Sequence, residues 1–129
     1  MRSSSLKTGQ QLTLEHKVTF EDTAVRYGSG NLEVLATPAL IALMENAALD
    51  LVAPSLSDSE STVGTEISIK HIKATAAGSL VKCTAILEQI NEKQLVFKVE
   101  AHEKDELIGF GKHVRYVIDV DRFMSKLTD

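Results

Sequence analysis

Glu45 is the first residue of this sequence that suggests chemistry, because it places a carboxylate on an apolar side of a predicted helix. The residues three and four positions away share its side of the helix and are all apolar: Ile41, Ala42, Ala48 and Leu49. Burying an unpaired carboxylate costs several kcal/mol. Glu45 therefore requires either a partner of opposite charge or a chemical role.

His71 shows the same contrast on a predicted strand. Apolar and polar side chains alternate over residues 65–71, and the imidazole takes a position on the otherwise apolar face. Thr37 precedes Pro38 at the start of the helix, which is the pattern of an N-cap followed by the first helical residue. The helix is predicted over residues 35–53, ahead of Pro54.

Thr37, Glu45 and His71 together supply a hydroxyl, a carboxylate and an imidazole, the groups that acyl transfer or hydrolysis uses. The helix N-terminus adds free N–H groups and the positive end of a dipole, which suit the oxygen of a thioester as it becomes negative. Each residue also has a structural alternative. Thr37 can serve as an N-cap alone, His71 as a packed core or interface histidine, and Glu45 as half of an ion pair across a subunit contact.

The composition limits the function classes. The chain has 129 residues, is 43% hydrophobic and carries a net charge of −4, which fits one globular domain and argues against a basic nucleic-acid-binding surface. The lone Cys83 fits a reducing compartment, and residues 1–5 lack the start of a signal peptide, so we expect a cytoplasmic protein. Polar residues interrupt the helix, which excludes a membrane span. The four histidines show no metal-ligand spacing, and we expect no metal site.

Period-two alternation predicts five strands, at residues 10–20, 62–71, 80–88, 94–102 and 107–118, with a short helix at 121–127. Short turns between the later strands imply antiparallel neighbours. The helix at 35–53 is apolar nearly all the way round, so it must be enclosed, and the sheet must curl about it. This order predicts an α+β hotdog fold, with about five antiparallel strands wrapped around one central helix. A single sheet leaves the helix partly uncovered and an edge strand open, so we expect a homodimer to complete the enclosure.

The residues that carry chemistry also carry a family resemblance. The sequence resembles the hotdog-fold acyl-CoA thioesterases of the fluoroacetyl-CoA thioesterase-like group. The resemblance lies in residues 34–37, 43–45 and 63–65 and in His71. The tail of the sequence, through His113 and residues 117–118, is similar to that group as well. The resemblance covers residues 6–124 and rests most on the order and spacing of Thr37, Glu45, Gly64 and His71.

The resemblance implies hydrolysis of a small acyl-CoA thioester, with no cofactor other than the coenzyme A of the substrate. It implies that Thr37 polarises or attacks the acyl carbonyl, that His71 is the general base, and that Glu45 orients or activates the nucleophile. The Gly64 backbone then lies at the thioester, and Arg115 holds the site or binds ligand. As the substrate carries phosphates, surface lysines are candidate contacts: Lys70, Lys73 and Lys112.

Residues 27–32 depart from the family pattern, because they form a short segment without phenylalanine where the fluoroacetyl-specific members have an aromatic lid. We therefore expect a more general short-chain acyl-CoA substrate.

Two other functions fit the same fold. A non-catalytic hotdog module would bind acyl-CoA or another small ligand without turnover. A hotdog dehydratase would need an Asp-x-Asn-Pro-x-His run, which is absent from the sequence.

Overall fold

A computed structural model describes residues 5–128, so most of the amino-terminal segment 1–5 considered above lies outside the described residues. Five antiparallel strands form one sheet in the order β1-β3-β4-β5-β2. The strands are β1 (Gln11–Lys17), β2 (Glu60–His71), β3 (Leu80–Asn91), β4 (Gln94–Glu103) and β5 (Glu106–Asp119). The helices are α1 (Ala24–Tyr27), α2 (Thr37–Val52) and α3 (Val120–Ser125). This arrangement confirms the predicted α+β hotdog fold.

The short connections predict that β2 pairs with the next strand along the chain, β3, and this prediction is wrong. Strand β2 lies at the sheet edge and pairs only with β5, while β3 lies between β1 and β4. The residues between β2 and β3 are numerous enough to cross the end of the sheet, so a tight turn is not formed there. As a result, β2 and β5 together carry His71, Gly64 and Arg115.

Helix α2 packs on one face of the sheet and is buried along a single stripe. The buried residues of that stripe are Ala39, Leu40, Met44, Ala47, Ala48 and Val52. The opposite side, which includes Ala42, Asn46 and Asp50, is exposed in the single chain. A single sheet can cover only one side of a helix, so α2 is partly uncovered in one chain, as the single-layer prediction requires.

Thr37 is the first helical residue of α2, and Ala36 is the N-cap. The prediction that Thr37 caps the helix is wrong, since no side chain makes a capping hydrogen bond there. Its hydroxyl hydrogen-bonds to His71 instead. Pro38 fits the second helical position, where a missing N–H costs no hydrogen bond. The threonine hydroxyl is thereby available for a contact outside the helix.

The other predicted elements lie close to their observed positions. The predicted strand at residues 10–20 ends earlier, at Lys17, and a 3₁₀ turn at Phe20–Asp22 follows. Strand β2 has an irregularity between Gly64 and Glu66 that breaks the predicted alternation at Thr65. No helix among residues 5–128 combines the length and apolar character needed to cross a bilayer.

Candidate active site

Thr37 and His71 form a hydrogen-bonded pair at the first turn of α2. The Thr37 Oγ1 atom lies 2.8 Å from Nδ1 of His71, which is the last residue of β2. The His71 Nε2 atom is buried and has no hydrogen-bond partner among residues 5–128. Burial lowers the pKa of His71, and the Lys73 backbone opposes this effect only partly. The imidazole is therefore neutral near pH 7 and has a ring nitrogen able to accept a proton from the Thr37 hydroxyl.

A surface depression of about 280 Å³ opens beside this pair. Its lining is mixed polar and apolar, and it comes from the segment before α2 and from the segment after β2: Ala24, Ser29, Val34, Leu35, Ala36, Ile72, Lys73 and Ala74. The hydroxyl of Thr37 and the start of α2 border the same space. Since a helix N-terminus favours negative charge, this depression suits an oxygen on which charge develops.

Glu45 lies in a second cavity of about 360 Å³, between the exposed side of α2 and the strands. Gly64 and Arg115 line this cavity with it. A Cβ atom on Gly64 would lie 3.3 Å from Glu45 Oε2 and 3.4 Å from Arg115 Nη1. The absence of a side chain at Gly64 therefore allows a carboxylate and a guanidinium to approach the strand backbone closely.

Arg115 is 7% exposed and is held by hydrogen bonds to two residues on neighbouring positions of the sheet. Its Nε donates to the Thr62 hydroxyl at 2.8 Å, and its Nη2 donates to the Thr62 carbonyl at 3.0 Å. Its Nη1 lies 3.1 Å from Nε2 of His113. Burial lowers the pKa of Arg115, while the nearby Glu45 charge raises it. The guanidinium remains charged, because arginine keeps its proton in proteins.

The hydrogen bonds of His113 define its tautomer. Its Nδ1 lies 2.8 Å from the carbonyl oxygen of Glu66, which can only accept, so Nδ1 carries the proton. Nε2 is then the acceptor for the Arg115 Nη1 donor. Burial lowers the pKa of His113, and the Arg115 charge lowers it further. His113 is thus a neutral imidazole with both nitrogens engaged.

The structure brings the five predicted site residues together in two groups. Thr37 contacts His71, and Glu45 shares a cavity with Gly64 and Arg115. Eight residues of helix separate Thr37 from Glu45, which corresponds to about 12 Å along the axis of α2. Glu45 and His71 therefore do not meet within one chain.

Two of the three lysines proposed as phosphate contacts lie away from both groups. Lys70 and Lys112 border a depression with Phe110, on the face of the sheet that does not carry α2. Lys73 borders the depression beside Thr37 and forms an ion pair with Glu106. Side chains alternate between the two faces along a strand. Lys70 therefore points away from α2, whereas the next residue, His71, points toward it.

Thr62 and His113 were not among the predicted site residues. A signal for His113 existed in the sequence, since it shares the helix-facing parity of β5 with Gly109, Gly111 and Arg115. Thr62 carries no such signal, because 53 residues separate it from Arg115 and only the pairing of β2 with β5 brings them together. No cluster of three metal-ligating side chains occurs among residues 5–128.

A five-stranded antiparallel sheet packed on one long helix, with a hydroxyl–imidazole pair at the helix start, is the arrangement of a hotdog-fold protein with the groups that hydrolysis of a thioester uses. A family model described as fluoroacetyl-CoA-specific thioesterase matches residues 18–121. The chain belongs to this family, which confirms the resemblance seen in the sequence.

Known proteins of similar sequence and structure agree with this assignment. The chain is 38% identical over 95 residues to the fluoroacetyl-CoA thioesterase of Streptantibioticus cattleyicolor, covering 74% of this chain and 68% of that protein. A crystal structure of a mutant fluoroacetyl-CoA-specific thioesterase with fluoroacetate and CoA superposes with a TM-score of 0.86 at 32% identity, covering 92% of this chain and 99% of the other. A hot-dog-like protein from Thermanaerovibrio acidaminovorans has a TM-score of 0.88 at 18% identity, covering 97% and 93% of the two chains, and shows the fold alone.

Proposed function

We propose that this protein hydrolyses a short-chain acyl-CoA thioester to the free acid and coenzyme A, with Thr37, Glu45 and His71 as catalytic residues. The observation that carries the proposal is the 2.8 Å contact between the Thr37 hydroxyl and the neutral His71 imidazole at the start of α2. Family membership supports the reaction class, since the curated relative is itself a thioesterase. The only cofactor-like group required is the coenzyme A of the substrate.

The chemistry follows from the order of these groups. The nucleophile is the Thr37 hydroxyl or a water molecule held by it, and in either route its proton passes to His71 Nδ1. Attack on the acyl carbon places negative charge on the carbonyl oxygen, which the N-terminus of α2 stabilises. The C–S bond then breaks, and the leaving thiolate takes a proton from the imidazolium. When Thr37 is the nucleophile, water hydrolyses the acyl-enzyme in a second step.

A homodimer would resolve the separation of Glu45 from His71. Edge strand β2 and the exposed side of α2 are the surfaces that a second copy can cover, because they leave backbone and helix unpartnered in the single chain. We propose that dimerisation brings Glu45, Gly64 and Arg115 of one copy to Thr37 and His71 of the other. Glu45 would then orient or activate the nucleophile.

The substrate is expected to be a small acyl-CoA rather than fluoroacetyl-CoA alone. The relative's complex contains fluoroacetate and CoA, so CoA recognition by this fold has a precedent. In this chain the segment before α2 turns at Gly28, in the left-handed conformation, and leaves Leu32 68% exposed. No phenylalanine lies there to enclose a fluoromethyl group. The lone Cys83 supports a reducing compartment, and we propose a cytoplasmic location.

The first prediction is that His71→Ala and Glu45→Ala each reduce thiol release from acetyl-, propionyl- and fluoroacetyl-CoA by about a hundredfold or more. Each substitution removes a group that transfers or directs a proton. The measurement is free thiol against time, with circular dichroism to confirm folding. Glu88→Gln, an exposed carboxylate on β3, is the matched control and should behave like the parent. Parent-like rates in both alanine variants would refute the assignment, and binding of acyl-CoA without turnover by the parent would favour a binding module.

The second prediction concerns the shared site. If Glu45 and His71 act across subunits, a mixture of Glu45→Gln and His71→Ala chains regains activity, because each mixed dimer holds one intact site and one doubly altered site. Random mixing makes about half of the dimers mixed, so about a quarter of the parent activity should return. Sedimentation establishes that dimers have formed. Mixed dimers that regain no activity would refute a site shared between subunits.

A further inference from the structure

Thr62 and His113 surround a buried arginine that has no ion pair with a carboxylate in the described part of the chain. We propose that both are positioning residues, which hold the Arg115 guanidinium so that its free N–H groups face the Glu45 cavity. This inference rests on the thioester hydrolysis proposed above. It adds two residues to that reaction which neither the sequence nor the family resemblance assigned.

The donor inventory of Arg115 supports this orientation. A guanidinium has five N–H groups, and three are used: Nε on the Thr62 hydroxyl, Nη2 on the Thr62 carbonyl and Nη1 on His113 Nε2. One N–H therefore remains on each Nη atom. The Nη1 atom lies 3.4 Å from the position of a Cβ on Gly64, at the edge of the cavity that Glu45 lines. A donor is thus available at this cavity.

His113 accepts a hydrogen bond from Arg115 and has no free ring nitrogen. It can therefore position the guanidinium, but it cannot act as a second general base. Its Nδ1 proton is committed to the Glu66 carbonyl, and its Nε2 lone pair is committed to Arg115. The ring is fully buried and stacks on Phe97, with centroids 6.0 Å apart. An imidazole fixed by its backbone partner and its ring neighbour can hold the guanidinium in one rotamer.

A gain in folding stability does not readily explain why Arg115 is buried with hydrogen bonds to Thr62 and His113. A buried charge costs desolvation energy, and apolar residues of similar volume often serve a core equally well. A cation that faces a cavity has a use in thioester hydrolysis, however, because the acyl oxygen becomes negative and the acid product is a carboxylate. The geometry therefore favours a role in the reaction, with Thr62 and His113 fixing where the positive charge lies.

Matched pairs of substitutions test the two supports separately. Thr62→Val removes the hydroxyl at nearly constant volume, and Thr62→Ser keeps it. His113→Asn places an amide near the position of Nδ1 and loses the acceptor for Arg115, while His113→Gln places its amide near the position of Nε2 and keeps that acceptor. We expect Thr62→Val and His113→Asn to lower kcat about tenfold with KM changed less than about twofold. Thr62→Ser and His113→Gln should recover most of the loss.

A second measurement is independent of turnover. Burial lowers the pKa of His113 and the Arg115 charge lowers it further, so displacement of the guanidinium by Thr62→Val should move the NMR titration of the His113 ring upward in pH. Thr84→Val is the matched control, because it removes a threonine hydroxyl hydrogen bond to Thr13 on the other face of the sheet. It should change neither kcat nor the His113 titration.

The outcomes separate this inference from the function on which it rests. An active parent with unchanged kcat in a folded Thr62→Val variant would overturn the positioning role and leave the hydrolysis intact. Equal losses of kcat in Thr62→Ser and Thr62→Val would also overturn it. The loss would then not depend on the hydroxyl that Thr62→Ser retains. Absence of thioesterase activity in the parent protein would refute the proposed function. In that case the NMR measurement still tests the positioning role, because an unchanged His113 titration in Thr62→Val would show that Thr62 does not position Arg115.

Discussion

Polar groups on apolar surfaces identified the site at the level of single residues. His71 lies at the end of the helix-facing side of β2, and Glu45 lies beside the buried stripe of α2. Thr37 uses its hydroxyl on His71 rather than on its own helix. Glu45 and His71 are half-buried polar groups, which cost free energy if left unpaired, and each is placed at a cavity. This placement, more than any one residue type, indicates a catalytic site.

The third prediction concerns Gly64. A Cβ atom there would lie 3.1 Å from His113 Cε1 and 3.3 Å from Glu45 Oε2, so both side chains would have to shift by a few tenths of an ångström. Gly64→Ala should therefore lower kcat/KM by about tenfold or more while changing the free energy of unfolding by about 1 kcal/mol or less. Steady-state thiol release and urea denaturation measure the two quantities. Unchanged kinetics would mean that the space beside Gly64 is not used in the reaction.

At the level of elements, the pairing of β2 with β5 positions most of the site. β2 contributes Thr62, Gly64 and His71, and β5 contributes Arg115 and His113. The antiparallel register places Gly64 opposite Arg115. Because this pairing spans all of β2 and most of β5, any change in their separation would move both cavities at once.

The fourth prediction is that Gly111→Ala disrupts this pairing. A Cβ at Gly111 would meet the backbone oxygen of Ser68 and lie 2.7 Å from the Ile69 Cα, and backbone cannot move aside as a side chain can. We expect a loss of about 3 kcal/mol or more in the free energy of unfolding by urea. Gly109→Ala is the matched comparison, since its closest contact at 2.9 Å is the flexible Leu40 side chain. Similar losses in both variants would contradict the backbone argument.

At the level of the whole molecule, two imidazoles link folding to pH: the buried His113 and the half-buried His71. Burial lowers the pKa of both His71 and His113 below the ordinary value of 6.5. Below that pH the unfolded chain takes up protons that the folded chain resists, so the unfolded state binds more protons and stability falls with falling pH. Above pH 6.5 this contribution to stability is fully present.

The fifth prediction follows from that sign. The urea midpoint should be constant between pH 7 and pH 8 and should decrease as the pH falls below about 6.5. His113→Gln should make the decrease shallower, because one of the two histidines is removed. A urea midpoint that rises on acidification would show that neither imidazole is kept neutral by the fold.

The sequence by itself determined the order of the elements and the antiparallel hotdog architecture, which follow from apolar periodicity and turn lengths. The reaction class came from the family resemblance, which rests on the order and spacing of Thr37, Glu45, Gly64 and His71. The single domain and the homodimer remain predictions.

Only the tertiary structure decided which groups meet. It paired β2 with β5, joined Thr62 and His113 to Arg115, and separated Glu45 from His71 within the chain. Periodicity encodes the face on which a side chain lies, but contacts between distant residues depend on strand order and register. Those are decided by packing over the whole sheet, so no local pattern in the sequence contains them.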